Sequence, residues 1–312
     1  MKTQTSDDYV QVAQQAFSYT GQARDYFLYR PTYPTSFFTD KIQKISAEAY
    51  AAESKRVESG EKRRKIIAID FGCGSGQATG SFFQYFDKVI GVDVNKLQLD
   101  QAIHRYSAEI ESGKVEFWEA DCSKIDEVIA ERLKDDVCLA LISVCQAFHW
   151  FDERDILKRC KKALAPYKGC MAILGYKLLE MVDSTKYDKR LFEDFYNTIR
   201  VFFAFDCDQL DNMYKDKHFG EYFAQVTFYQ ESTVYNDCSV QKLLGYFNTL
   251  SAYRTKLEKI DKSPEDDSLK KLVDQLGLTG YRRGDPSEVQ VPKDKVGEVT
   301  FIVPFFMYVM HD

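Results

Sequence analysis

The stretch that decides the fold is Ile69-Asp70-Phe71-Gly72-Cys73-Gly74-Ser75-Gly76. The apolar run at residues 66–69 is typical of a strand that is buried on both faces. Glycines directly after such a strand permit a sharp turn and a close approach of the backbone to a ligand. We therefore expect a strand, a tight glycine-rich turn and then a helix, whose first backbone N–H groups are free to bind a polar ligand.

The glycine spacing argues against a dinucleotide cofactor. The dinucleotide fingerprint Gly-x-Gly-x-x-Gly would place its third glycine at position 77. That position is Gln77, and the glycine comes one residue earlier, at Gly76. Asp70, two residues before Gly72, would also repel a pyrophosphate. Because S-adenosylmethionine carries an ammonium and a sulfonium, which favour a nearby carboxylate, the charges favour that cofactor over NAD.

Two further carboxylates follow predicted strands. Asp93 ends the second strand, seventeen positions after Gly76, near the spacing of about 20 that is typical of a ribose-binding carboxylate. Asp121 follows the third strand and could accept a hydrogen bond from an adenine amino group. The alternative for Asp121 is a helix N-cap beside Ser123.

Strands and helices alternate around the glycine motif. Apolar runs predict five strands, at residues 66–69, 88–92, 115–118, 137–142 and 170–174. Apolar residues at spacings of three and four predict the intervening helices, at 99–110 and 156–164. This alternation predicts an α/β fold, a doubly wound sheet with helices on both faces.

Composition excludes several classes of protein. The net charge of −6 gives the chain no general attraction to nucleic acid, and the basic run at 62–65 is interpreted as a lead-in to the first strand. The eight cysteines form no Cys-x-x-Cys pair, so we expect reduced thiols and no metal site. No signal peptide or membrane span is recognisable, which favours a cytoplasmic protein that binds a small molecule, with a monomer favoured.

Several segments resemble one known family. Residues 69–76 resemble the first motif of class I S-adenosylmethionine-dependent methyltransferases, and Gly91-Val92-Asp93-Val94-Asn95 resembles the second. Within that class the chain resembles the trans-aconitate methyltransferase-like group at Tyr29-Arg30-Pro31-Thr32-Tyr33-Pro34. It does so again at Gln146-Ala147-Phe148-His149-Trp150-Phe151-Asp152 and more loosely at residues 249–253. The resemblance covers nearly the whole chain.

The resemblance implies a Rossmann-like fold and a set of site residues. The sheet would have seven strands, mostly parallel, with an antiparallel last strand at 299–310. Tyr29 and Arg30 would lie in a lid over the cofactor, with Arg30 near the methionine carboxylate. Gln98 stands where the family usually has Met. The candidate cofactor-binding residues are Tyr29, Arg30, Asp70, Gly72, Cys73, Gly74, Gly76, Asp93, Val94, Gln98, Asp121, Cys122, Ser123 and Gln146.

The chain divides into four predicted segments. Pro31 and Pro34 interrupt the first of them, because proline disfavours helix at its own position and at the residue before it. A helix ended by Gly277 belongs to the last. The segments are an N-terminal helical lid (1–64), a cofactor-binding core (65–175), a mainly helical and aromatic substrate cap with one core strand at 223–229 (176–260), and a C-terminal helix with the closing strand (261–312).

The segment after the fourth strand should lie beside the methyl group that is transferred, because ligands in open α/β sheets bind at the carboxyl ends of the strands. There His149 could act as a general base. Alternatively Gln146, His149 and Trp150, with Tyr33 as a further substrate-binding residue, could hold a substrate carboxylate. A carboxylate is already an anion at neutral pH, so methyl transfer to it is a direct displacement that rests on alignment and desolvation.

Three functions are therefore compatible with the sequence. The leading hypothesis is methylation of a carboxylate oxygen on a small molecule, either a trans-aconitate-like acid or a longer apolar acid. A second is carbon or oxygen methylation of a quinone or phenolic ring, with His149 as base. A third is binding of S-adenosylmethionine without catalysis. A carboxylate acceptor predicts a rate that is flat above about pH 6, whereas the base mechanism predicts a rate that falls as His149 is protonated.

Overall fold

The computed structural model describes residues 22–121, 124–133, 135–183, 186–293 and 298–312. The strand in front of the glycine turn lies at the centre of the sheet. Its side chains are buried on both faces, which is why it is apolar without alternation. Ile66 and Ala68 contribute to one hydrophobic cluster and Ile67, Ile69 and Phe71 to the other, so each face of the sheet carries its own core.

The strand order reverses beside this central strand. β1 (Lys65–Phe71) pairs in parallel with β2 (Lys88–Asp93) on one side and with β4 (Val137–Cys145) on the other. β3 (Val115–Glu119) extends the first side and β5 (Cys170–Tyr176) extends the second. The reversal leaves a crevice at the carboxyl ends of β1, β2 and β4, where open α/β sheets bind their ligands.

The far side of the sheet contains the antiparallel strand. β8 (Glu298–His311) pairs with β5 through residues 305–310, and β6 (Glu180–Asp183) continues along the same edge through residues 300–302. β7 (Gln225–Ser239) covers the opposite edge of β8. Eight strands therefore occupy seven positions, and among the strands that are described β8 alone runs against the others. The predicted Rossmann-like fold, a mostly parallel sheet with an antiparallel last strand, is confirmed.

Helices cover both faces of this sheet. A π-helical turn at Phe37–Ile42 leads into the second of them. No helix in the described ranges is long and apolar enough to cross a membrane. The helices are α1 (Gln22–Tyr29), α2 (Gln43–Glu58), α3 (Lys96–Arg105), α4 (Ser107–Glu111), α5 (Ile125–Arg132), α6 (Glu153–Leu164), α7 (Lys189–Arg200), α8 (Asp208–Asp211), α9 (Val240–Asn248), α10 (Ser251–Lys259) and α11 (Ser268–Gln275).

One expectation about the glycine motif is wrong, because no α-helix begins directly after it. Residues 72–78 form successive turns, and a 3₁₀ helix follows at Thr79–Phe82. Gly72, Gly74 and Gly76 all have positive φ angles, between 55° and 77°, which a right-handed helix does not allow. A ligand at this turn therefore meets individual backbone groups and not the dipole of a helix.

Three other elements differ from the sequence prediction. The helix predicted over 99–110 is divided into α3 and α4 at Tyr106, whose φ is −106°. β7 extends ten residues beyond the predicted 223–229, and β6 was not predicted. The second half of β7 is polar and mostly exposed at the edge of the sheet, so it lacks the apolar pattern that marks the central strands.

Candidate active site

A cavity of about 850 Å³ lies at the carboxyl ends of β1, β2 and β4. The glycine turn, the end of β2, the start of α3 and the segment after β4 contribute its walls, and α1 with the turn after it covers one side. Nine predicted site residues line it: Tyr33, Gly72, Cys73, Gly74, Asp93, Val94, Gln98, Gln146 and Trp150. The structure therefore brings together seven of the fourteen predicted cofactor residues, and Tyr33 and Trp150 were predicted to bind the substrate.

Asp93 is the best-positioned carboxylate in this cavity. Its Oδ2 accepts a hydrogen bond from the Gly74 backbone N–H at 2.8 Å, and its Oδ1 accepts one from the Asn95 N–H at 2.8 Å. These bonds lower the pKa of Asp93, but burial is the larger effect and raises it. The Val94 backbone N–H also bonds to this carboxylate, and the acceptor site that remains can take a ribose hydroxyl.

Asp70 has a different environment from the one expected. It is fully buried beneath the glycine turn and is not among the described residues that line the cavity. Its carboxylate accepts hydrogen bonds from Thr79 Oγ1 at 2.7 Å and from Ser143 Oγ at 2.8 Å. Burial raises the pKa of Asp70 to about 6 against the opposing effect of these bonds. Asp70 thus ties the glycine turn to β4 and makes no direct contact with the cavity.

Two buried polar atoms in the cavity wall have no hydrogen-bond partner in the described part of the chain. They are Tyr33 Oη and Ser75 Oγ. Native proteins rarely leave such atoms unpaired, because the desolvation penalty is then not compensated. A ligand with several polar groups would satisfy them. The volume, the fixed Asp93 and these free atoms together fit S-adenosylmethionine.

A second cavity, of about 560 Å³, adjoins the first. The two share Tyr26, Gln146, Trp150 and Tyr176 in their walls. Two ligands, one in each cavity, would meet at this shared wall. Arg30 lines the second cavity and is not among the described residues that line the first, and its predicted place near the methionine carboxylate stays a prediction.

Neutral groups surround Arg30. Its Nε donates to Thr249 Oγ1 at 2.8 Å, and its Nη2 donates to the Thr249 carbonyl at 3.0 Å. The guanidinium also lies 4.6 Å from the centre of the Tyr26 ring and 5.2 Å from that of Tyr246. No carboxylate in the described part of the chain forms an ion pair with Arg30, so its charge remains available to an anion in the second cavity.

The side chains of Tyr29 and Gln146 contact other residues of the protein. The Tyr29 ring packs against Gly245 of α9 and is not among the described residues lining either cavity. The side-chain carbonyl of Gln146 accepts from the Tyr176 N–H at 2.8 Å, and its amide donates to the Tyr176 carbonyl at 3.2 Å. Gln146 therefore fixes the wall between the cavities and is a poor candidate for binding a substrate carboxylate.

His149 lines the second cavity in a neutral form. Its Nδ1 lies 2.8 Å from the hydroxyl of Tyr214, and the ring of Phe205 packs against it at 3.9 Å between centroids. Burial, with a smaller contribution from the positive charge of Arg30, lowers the pKa of His149 to about 3. An imidazole that is so difficult to protonate is a weak general base.

Apart from Tyr29, Arg30 and Asp70, two predicted cofactor residues, Gly76 and Asp121, are not among the described residues that line the first cavity. Gly76 packs against the ring of Tyr106, whose hydroxyl donates to the Gly76 carbonyl at 2.8 Å. Asp121 lies after β3 and is not among the lining residues that are described. Cys122 and Ser123 lie outside the described residues. The adenine end of the predicted site thus stays a prediction.

Sequence reasoning missed several residues that contribute to the walls. Tyr26 lies in the last turn of α1, four positions before Arg30. Residues at this spacing lie on the same side of a helix, and this was the signal that could have identified Tyr26. Gln77, Asn95, Cys145 and Tyr176 also line the first cavity. Asn95 belongs to the second motif but was not chosen as a site residue. No motif includes Gln77, Cys145 or Tyr176, because their positions depend on how distant segments pack.

Comparison with known proteins agrees with this geometry. Residues 68–167 match the family model described as a methyltransferase domain. That range begins in β1 and includes the glycine turn and Asp93. The chain is an S-adenosylmethionine-dependent methyltransferase. The first cavity of this methyltransferase is the candidate cofactor site, and the second is the candidate acceptor site.

Individual relatives are distant. The methyltransferase is 24% identical, over 265 residues, to a Dictyostelium discoideum protein assigned as a methyltransferase, covering 84% of this chain and 86% of that protein. A structure from Anaeromyxobacter dehalogenans, assigned as a type II methyltransferase, aligns with a TM-score of 0.55 and 18% identity over 90% of this chain and 97% of that one. A Thiobacillus denitrificans methyltransferase solved with S-adenosylhomocysteine aligns with a TM-score of 0.41 and 14% identity, over 94% and 97% of the two chains. The first structure shows the shared fold.

Proposed function

We propose that the methyltransferase transfers its methyl group to a carboxylate oxygen of a small acid bound in the second cavity. The observation that carries the proposal is the environment of Arg30. It lines that cavity with a positive charge that has only neutral hydrogen-bond partners in the described structure. Guanidinium groups bind carboxylates in two-pronged, charge-assisted pairs, so an acid is the ligand whose chemistry matches the site.

The reaction requires little proton chemistry from the chain. S-adenosylmethionine, when bound, supplies an electrophilic methyl group on a positively charged sulfur. The acceptor oxygen forms a bond to the methyl carbon while the carbon–sulfur bond breaks, and that electron pair stays on sulfur. Because the acid is already ionised at neutral pH, no residue has to remove a proton. An anion and a cation give neutral products, which an enclosed cavity favours.

The chain supports this step by positioning. Trp150 and Tyr176 border both cavities, so they limit the directions from which an acceptor reaches the donor. Gln146 holds the end of β5 beside them through its paired hydrogen bonds to Tyr176. Alignment of reacting groups accounts for a large part of the rate in such reactions. The alternative with His149 as a base is disfavoured by its low pKa of about 3.

The test compares variants of two cationic residues that line the second cavity. Arg30→Gln should lower kcat/KM for carboxylic acids about 100-fold, because it removes the charge that holds the acceptor. The affinity for S-adenosylhomocysteine should change by less than about threefold, since Arg30 lines the other cavity. Lys177→Gln is the matched control, because Lys177 lines the same cavity but is paired with Glu180 at 3.2 Å.

Two outcomes would contradict the proposal. One is a loss of cofactor binding in Arg30→Gln with no change in kcat/KM at saturating cofactor, which would place the guanidinium at the methionine carboxylate. The other is a wild-type enzyme that binds S-adenosylhomocysteine but methylates no carboxylic acid while methylating a phenol or a quinone. A protein that binds the cofactor and turns over no acceptor in a broad panel would indicate a binding function without catalysis.

A further inference from the structure

A third cavity, of about 910 Å³, continues from the second. The two share Lys177, Leu178, Tyr196 and Asp211 in their walls, whereas the third cavity shares no lining residue with the first. The three cavities therefore follow one another in a row. A molecule that reaches the methyl donor from the second cavity has room to extend into the third.

Apolar side chains make up about half of the lining of the third cavity, six of its thirteen described residues. The connection between β5 and β6 forms one side, one face of α7 forms another, and α9 contributes two side chains. Its six apolar lining residues are Leu178, Leu179, Met181, Phe192, Leu243 and Phe247. An elongated apolar group is the kind of ligand that such walls stabilise.

The charges around this space are balanced. Lys177 pairs with Glu180 at 3.2 Å, and Asp211 pairs with Arg200 at 2.7 Å. Lys189 and Glu193, which also line the third cavity, are exposed and carry opposite charges. Among the described residues that line the second cavity, Arg30 is thus the one cation without a carboxylate partner. Lys189 of the third cavity also forms no ion pair in the described structure, but it is exposed to solvent.

On the basis of the carboxylate function proposed above, we propose that the acceptor is a monocarboxylic acid with a long apolar tail. Its carboxylate pairs with Arg30 in the second cavity, and its tail passes Leu178 and Tyr196 into the third. A compact tricarboxylate such as trans-aconitate would place two further anions in the second cavity, where the other described lysine, Lys177, is already paired with Glu180. Burial of unpaired charges is costly, so the site selects against polycarboxylates.

The first experiment compares acids of increasing length with a tricarboxylate. We would measure kcat/KM for hexanoate, octanoate, decanoate, dodecanoate and trans-aconitate, and the binding of each acid by calorimetry with S-adenosylhomocysteine present. Each methylene that enters the apolar cavity should raise kcat/KM about fourfold, and trans-aconitate should be at least about 100-fold poorer than the best straight-chain acid. A preference for trans-aconitate over every straight-chain acid would overturn this inference and leave the carboxylate function intact. If no acid of either kind binds or reacts, the proposed function itself fails.

The second experiment narrows the third cavity. Asn197 lies on the cavity face of α7 and is exposed at its mouth, so Asn197→Trp should obstruct the tail without disturbing the core. Thr198→Trp is the matched control, because Thr198 is exposed on the same helix but is not among the lining residues described. Asn197→Trp should lower kcat/KM for dodecanoate at least about tenfold and leave that for hexanoate within about twofold. Equal values for dodecanoate in the two variants would overturn the placement of the tail.

Discussion

At the residue scale, two carboxylates at the ends of neighbouring strands have different surroundings. Asp93 lines the first cavity and is held by two backbone N–H groups. Asp70 is fully buried and is held by two hydroxyl groups, from Thr79 and Ser143. The difference separates their functions: Asp93 is available to a ligand, whereas Asp70 maintains the turn that shapes the site.

The first prediction concerns the pH dependence of stability. Burial raises the pKa of Asp70 to about 6 in the folded protein, above the value of about 3.9 for an unfolded chain. The folded state therefore favours the protonated acid, and this contribution to stability is complete below about pH 4 and is lost as the pH rises to about 6. The loss is on the order of 3 kcal/mol, from a shift of about two units.

Asp70→Asn should remove this dependence, because an amide does not ionise. The free energy of unfolding of the variant relative to the wild type should increase by about 2–3 kcal/mol between pH 4 and pH 6.5, as measured by urea denaturation at each pH. Asp100→Asn changes an exposed carboxylate on α3 and serves as control. A difference between variant and wild type that is constant with pH would contradict the assignment.

The second prediction concerns His149. Asparagine can replace the Nδ1 hydrogen bond to Tyr214 but cannot act as a base, so His149→Asn should lower kcat by less than about tenfold, whereas removal of a general base costs about 10²–10⁴-fold. Tyr214→Phe is the matched control, since it breaks the same 2.8 Å contact and keeps the imidazole. A loss of more than about 100-fold in His149→Asn alone would restore the base mechanism. Because the pKa of His149 is about 3, its protonation state does not change above pH 6. The variant is therefore more informative than a pH profile in that range.

At the scale of elements, the contact between α1 and α9 controls the acceptor site. The Tyr29 ring lies directly against Gly245, so that a Cβ at this position would overlap the ring. The same helix brings Tyr26 to both cavities, and Arg30 follows it at the second. The glycine in α9 is therefore what lets α1 approach closely enough to complete the walls.

The third prediction tests this contact. Gly245→Ala should displace α1 and lower kcat/KM for the acceptor about tenfold, although alanine favours a helix more than glycine does. Tyr29→Ala in the same protein should remove the overlap and restore most of the activity, and the double-mutant cycle measures that coupling. Gly220→Ala is the control, because a Cβ there would meet nothing within 4 Å. Additive effects of Gly245→Ala and Tyr29→Ala would contradict the proposed contact.

The elements that could be predicted from the sequence are those whose conformation is determined by residues within the element itself. The central strands were predicted because burial on both faces requires continuous apolar residues, and the break at Pro31 and Pro34 because proline disfavours helix. The absence of a helix after the glycine turn follows from three positive φ angles. Those angles depend on contacts with residues that are distant in the sequence. A Cβ at Gly72 would lie 2.6 Å from that of Ala147, which comes from a distant segment.

At the scale of the whole molecule, the sheet order creates a site that no single segment contains. The reversal beside β1 opens the first cavity, and α1, α7 and α9 enclose the second. The sequence predicted part of the first cavity, since the glycine turn and Asp93 follow their strands in a recognisable pattern. It could not predict that Arg30 lines the second cavity, because that position depends on a hydrogen bond to Thr249, 219 residues away.

The assignment of the first cavity as the cofactor site is tested most directly by calorimetric binding of S-adenosylmethionine and S-adenosylhomocysteine to the purified protein. We expect micromolar affinity for both ligands in the wild type and in Asp100→Asn. Asp93→Asn should weaken binding at least about 30-fold, because the amide loses an acceptor for the ribose hydroxyls, and circular dichroism should show that this variant is folded. No binding to folded wild-type protein, or unchanged affinity in Asp93→Asn, would contradict the assignment of the first cavity as the cofactor site.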